Sequence, residues 1–153
     1  GPGGGLPQVR RAEAYEALRD RSDAHLAANG TRPTLFLASI GTASAHTART
    51  TFAANLFQAG GIATVPAESV DPAAFAEAFR ASGATVACLC SSDALYAEHA
   101  APVAEALKAA GAQRVLLAGR LAEVPDGVDE FIFSGGDAVA VLTSLLDQIG
   151  AAR

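Results

Sequence analysis

The chain has 153 residues, 50% of them apolar and 18% charged, with a formal charge of −5 at neutral pH. That length suits one globular domain able to bury a sizeable core, and the composition excludes a disordered segment. The acidic balance argues against a nucleic-acid or anionic-membrane surface, and no apolar run approaches the roughly 20 residues of a membrane span.

The opening Gly1-Pro2-Gly3-Gly4-Gly5 has neither the charged nor the apolar region of a secretory signal and reads as a native flexible linker or a cloning remnant. With no initiator methionine, a fragment or a processed product is expected. Pro7–Ala28 has helical spacing, with Ala14, Leu18, His25 and Leu26 among its less polar positions and Gly30 as a stop. This helix stands outside the repeating pattern that follows. Residues 1–31 are therefore set apart as linker and N-terminal helix, packing across an edge of the domain or onto a partner, and residues 32–153 form the domain proper.

From Thr34 the chain alternates strand and helix. The spacing predicts strands at Thr34–Ile40, Ile62–Val65, Thr85–Cys90, Arg114–Ala118 and Glu130–Phe133. Helices are expected at His46–Ala59, ended by Gly60-Gly61; at Asp71–Ser82, with Asp71 as cap and Pro72 at the first helical position; at Asp93–Ala110; and at Asp137–Ile149. Gly119–Val128, with Pro125 and Gly127, has room for a short helix at most. Cys88 and Cys90 lie two apart on a strand, share a face and read as buried small hydrophobes rather than a disulfide. Such a pair fits a reducing, cytoplasmic setting.

Short apolar strands alternating with helices imply a parallel sheet covered on both faces. Right-handed crossovers give a flavodoxin-like, doubly wound five-stranded α/β sheet in the order 2-1-3-4-5, with an extra N-terminal helix. The ligand crevice of such a sheet lies at the carboxyl ends of strands one and three. The loops there are Gly41–Ala45 and Ser91–Ala94, with Gly119–Leu121 beside them.

Several chemistries fail on the residues of these loops. Gly41–Ala45 carries one glycine and lacks both a dinucleotide fingerprint and the Lys-Ser or Lys-Thr of a phosphate loop. Thr42 and Ser44 could face a phosphate, with Arg49 adding charge, or could simply cap the helix. A phosphoacceptor site needs acids after strand one, and there are none. No Gly-x-Ser-x-Gly elbow is present, and no acid lies near His46 in sequence to orient it. His25 and His99 read as surface residues.

The stretch Ser44-Ala45-His46-Thr47-Ala48-Arg49 resembles the cobalamin-binding motif Asp-x-His-x-x-Gly with its two flanking positions changed. Arg32–Ala38 running into Gly41, then Arg49–Leu56 and Gly60-Gly61-Ile62, extend the likeness, and Tyr15–Arg21 resembles the helix that precedes such a domain. From Arg32 to Ala152 the chain resembles the C-terminal cobalamin-binding-type domain of the acyl-CoA mutases, and within them the small, non-catalytic subunits of heterodimeric methylmalonyl-CoA mutases. In cobalamin-binding members the motif histidine ligates cobalt, the Asp orients it, and the Gly leaves room for the nucleotide tail. Here Ser44 cannot supply the carboxylate and Arg49 fills the glycine position. The family's Ser-x-Leu becomes Ser91-Ser92-Asp93, and its Gly-Gly becomes Gly119-Arg120. Arg49 and Arg120 read as ordinary solvated arginines, or as a plug in the old tail tunnel paired with Ser44, Asp93 or Asp137, or as contacts for a changed ligand.

The resemblance implies a degenerate domain with vestigial positions Ser44, His46, Arg49, Ser91, Gly119 and Arg120. No catalytic residue, no cofactor and no metal are expected in this chain. It implies a catalytic large subunit as partner, carrying adenosylcobalamin and isomerising methylmalonyl-CoA and succinyl-CoA. The alternatives are a working cobalamin domain with His46 as lower cobalt ligand, or a small-anion or nucleotide binder of the same fold.

Overall fold

A computed structural model describes residues 7–151; the Gly1–Gly5 reading and the end of the resemblance at Ala152 lie outside the described residues. The sheet is five-stranded and all-parallel in the expected order, β2-β1-β3-β4-β5. Its strands are β1 (Thr34–Ile40), β2 (Ala63–Ser69), β3 (Val86–Cys90), β4 (Arg114–Ala118) and β5 (Glu130–Ile132). The helices are α1 (Gln8–Asn29), α2 (Ala43–Ala59), α3 (Pro72–Ser82), α4 (Asp93–Ala109) and α5 (Ala138–Ile149).

Side-chain alternation divides the core into two layers. Phe36, Ala38, Ile40, Ala87 and Leu89 face Phe75 and Phe79 of α3 and Val103 and Leu107 of α4. Leu35, Leu37, Val86, Cys88 and Cys90 face Ala53 and Phe57 of α2 and Leu142, Leu145 and Leu146 of α5. The central strands are apolar throughout because both of their faces are covered. Cys88 and Cys90 are fully buried free thiols in the second layer, and burial pushes the Cys88 thiol well above its ordinary range.

Two boundaries differ from expectation by more than one residue. Strand β2 runs on to Ser69 instead of stopping at Val65. Pro66 pairs with Leu37 of β1 on an edge strand, where the missing N–H costs no second ladder bond. Helix α2 begins at Ala43, one turn before His46, so the whole motif Ser44–Arg49 lies inside the helix rather than only from His46 onward. The segment from Gly119 to Val128 holds turns and no helix, within the expected limit of a short helix at most.

Helix α1 packs on the domain itself. Leu18 is buried in the α2–α5 layer. Arg21 reaches Asp147 at 2.9 Å and the Ala151 carbonyl at 2.6 Å, and the Ser22 hydroxyl donates to the Gly61 carbonyl at 2.6 Å. Gly61 has φ +80°, and a Cβ there would stand 2.5 Å from that of Ser22, so only glycine lets helix and turn meet. These contacts lie at the amino-terminal end of the sheet, opposite the crevice.

Candidate functional site: the carboxyl edge of the sheet

Helix α2 supplies most of the crevice side chains. Thr42 stands at its cap position, but its hydroxyl pairs with that of Ser44 at 3.1 Å instead of capping the helix, and both residues are exposed. His46 is buried, with 8% of its surface exposed. Its Nδ1 lies 3.0 Å from Thr50 Oγ1, and its Nε2 lies 2.5 Å from Glu68 Oε2. Thr50 Oγ1 lies 2.7 Å from Ser39 Oγ, which is buried on β1. The four side chains form one line from the surface to the sheet: Glu68, His46, Thr50, Ser39. Helical geometry stacks His46 and Thr50 one turn apart on one face. The register sets Glu68 beside Ser39 on the neighbouring strand, so both side chains rise on the α2 side. With Glu68 ionised, a carboxylate only accepts, so Nε2 carries the proton; in the neutral ring Nδ1 then accepts from Thr50, which accepts from Ser39.

Arg49 lies across the ends of β3 and β4. Its Nη1 donates to the Ser91 carbonyl at 2.8 Å, and its Nη2 lies 3.1 Å from Asp93 Oδ1. The guanidinium carbon stands 5.7 Å from the Tyr96 ring centroid. It also covers Gly119, whose φ is +143° and where an added Cβ would meet Nη1 at 3.2 Å. Ser91 is fully buried: its hydroxyl donates to the Ile40 carbonyl at 2.6 Å and its N–H donates to the Tyr96 hydroxyl at 2.8 Å. The Tyr96 hydroxyl lies 2.6 Å from the Ala118 carbonyl and 3.1 Å from that of Leu89, clasping the ends of β4 and β3. Burial pushes this phenol far above its ordinary value, so it stays protonated and able to donate.

Arg120 does not join this cluster. It is exposed and lies over the Phe133 ring, 4.8 Å from its centroid. Of the pairings expected for the two arginines, Arg49 makes the one to Asp93. Asp137 instead caps α5 by accepting from the Ala140 N–H at 3.0 Å. Beside β5 a cavity of about 100 Å³ is lined by Leu56, Phe131, Phe133 and Val141. His25 and His99 lie on other helices, half-buried beside Asn29 and Glu98. Among the described residues no group of three or more His, Cys, Asp or Glu side chains could hold a metal ion, and no helix is long and apolar enough to cross a membrane.

Four residues of the site are not found from sequence: Ser39, Thr50, Glu68 and Tyr96. The acid that orients His46 lies 22 residues away on β2. Only a strand long enough to reach Ser69, read in register against β1, would reveal it.

The fold and the site define a flavodoxin-like α/β domain whose carboxyl-edge crevice is occupied by the chain's own Arg49, His46 and Tyr96. No family model matches the chain. It is 66% identical over 152 residues, 99% of its length, to the methylmalonyl-CoA mutase small subunit of Streptomyces virginiae. It is 41% identical, over 98% of its length, to a probable methylmalonyl-CoA mutase small subunit of Mycobacterium tuberculosis, and 39% identical, over 97%, to the methylmalonyl-CoA mutase small subunit of Propionibacterium freudenreichii subsp. shermanii. The chain covers 24% of the first of these relatives, 25% of the second and 24% of the third, so it spans about a quarter of the length of the curated relatives it matches.

Proposed function

We propose that this chain is a structural and interaction domain of a methylmalonyl-CoA mutase small subunit, and that its cobalamin site is vestigial. In this reading the isomerisation of methylmalonyl-CoA and succinyl-CoA belongs to a large partner subunit carrying adenosylcobalamin. This domain contributes folding and interface area to the pair.

The observation that carries the reading is the double engagement of His46. A ligating imidazole needs one nitrogen lone pair facing open space while the other nitrogen is held. Here Nε2 meets Glu68 and Nδ1 meets Thr50. Space supports the same reading. The Arg49 guanidinium lies against Gly119, Ser91 and Asp93, where a nucleotide tail would pass. With Glu68 against Nε2 and Arg49 in the path of the nucleotide tail, the residues present do not fit cobalamin.

The test is a titration of the chain with hydroxocobalamin and adenosylcobalamin, followed by visible absorbance and calorimetry. The expected result is neither heat nor a spectral shift. Stoichiometric binding that His46→Ala abolishes would make the chain a working cofactor domain instead.

A further inference from the structure

We infer that Glu68 is the specificity-determining residue that withdraws His46 from ligation, an inference that rests on the vestigial-site reading. The two neighbours of the imidazole are not equivalent. Thr50 lies on its inner side and is itself held by buried Ser39. This is the kind of support that fixes the orientation of a ligand histidine. Glu68 lies on the outer side: its side chain is 56% exposed, whereas that of His46 is 10% exposed. The carboxylate is therefore a cover over a nitrogen that otherwise faces solvent.

Removing that carboxylate opens Nε2 outward without leaving a void in the core. Hydroxyls both donate and accept, so Thr50 and Ser39 serve either tautomer. With Glu68 gone, Nδ1–H donates to Thr50 and the Nε2 lone pair points to the surface. The ligand class this frees His46 for is a metal centre with an exchangeable site and no need of the crevice occupied by Arg49. A corrinoid lacking the nucleotide tail meets that description.

The experiment titrates the 153-residue chain with diaquocobinamide, read by visible absorbance. Wild type and Glu68→Gln, whose amide oxygen still accepts from Nε2–H, should show no histidine-type shift. Glu68→Ala should bind one equivalent at least about tenfold more tightly, and Glu68→Ala/His46→Ala should lose it. A folded Glu68→Ala that behaves as wild type overturns the inference, as does a wild type that binds through His46 equally well. A second measurement needs no variant: long-range 15N–1H spectra should show the proton on Nε2 at pH 7, and a bare Nε2 overturns the inference. Hydroxocobalamin bound by wild type sinks the vestigial-site reading. Its absence, together with a silent Glu68→Ala, sinks only the role of Glu68.

Discussion

The two ends of the sheet treat polar groups in opposite ways. At the carboxyl edge, Arg49, Ser91 and Tyr96 bond one another or the strand ends, and His46 bonds Glu68 and Thr50. At the amino-terminal end, α1 rests on the domain and leaves concavity beside it. One groove there, of about 700 Å³, is lined by Arg19, Asp23, Arg32 and Gln58; another, of about 550 Å³, runs between α1 and the first turns of α5, lined by Ala14, Ala17, Val139 and Thr143. An open α/β sheet ordinarily binds ligands at its carboxyl edge. Here that edge is stitched closed from within, and the open relief lies where a helix outside the repeating pattern has been added. The geometry of a fold and the occupancy of its usual site are separate properties, and only side-chain accounting distinguishes them.

The largest expected effect tests the amino-terminal half of this contrast. If α1 is an integral part of the domain, Leu18→Ala should cost about 2–5 kcal/mol, as for a buried leucine in a core, measured by urea denaturation. A loss under about 1 kcal/mol would mean that α1 is a loosely attached appendage and that the contrast is overdrawn.

At the carboxyl edge, Tyr96→Phe keeps the ring and removes the clasp. It leaves the buried Ser91 N–H and the Ala118 carbonyl without their hydroxyl partner, at a cost of about 1–3 kcal/mol. A smaller pair of substitutions separates the two arginines. Arg49→Ala strips a charged donor from the Ser91 carbonyl and should cost about 1–2 kcal/mol, whereas Arg120→Ala removes an exposed stacking contact and should cost about 0.5 kcal/mol. Equal effects would mean that Arg49 does not fill the crevice in any energetic sense.

Most of the fold is legible in the sequence because it rests on local signals. Apolar runs bounded by Gly and Pro give all five strands, and the cap Asp71 before Pro72 fixes the start of α3. The site is legible in part. The motif places His46 and Arg49 correctly on one helix, and Arg49 finds Asp93. Glu68 is hidden because Pro66 reads as a strand end, although on an edge strand it is tolerated, and because a partner 22 residues away is set by register rather than by spacing. Arg120 shows the converse. Its place next to Gly119 suggests a role in the crevice, yet it turns out onto Phe133, and no local pattern specifies which way a residue after a strand end will turn.

The smallest expected effect is a pH dependence that should arise at the amino-terminal end. Burial raises the Asp129 carboxyl. That effect is outweighed by Lys108, whose Nζ lies 2.8 Å away, by the Val115 N–H, which donates at 2.7 Å, and by Arg114, so the group sits below its ordinary range. A carboxyl that is more acidic in the folded than in the unfolded chain stabilises the fold above the unfolded value, about 3.9. That contribution is lost as the pH falls through the folded value. Stability should therefore hold from neutral pH down to about 4 on this account and fall below it. Because Lys108 and Asp129 are both partly exposed, the loss should be small and should shrink further in salt. Asp129→Asn should flatten the acid limb of stability against pH while leaving cobinamide titrations of the Glu68 variants unchanged. If the mutation instead alters those titrations, the two ends of the sheet are coupled and the contrast between them fails.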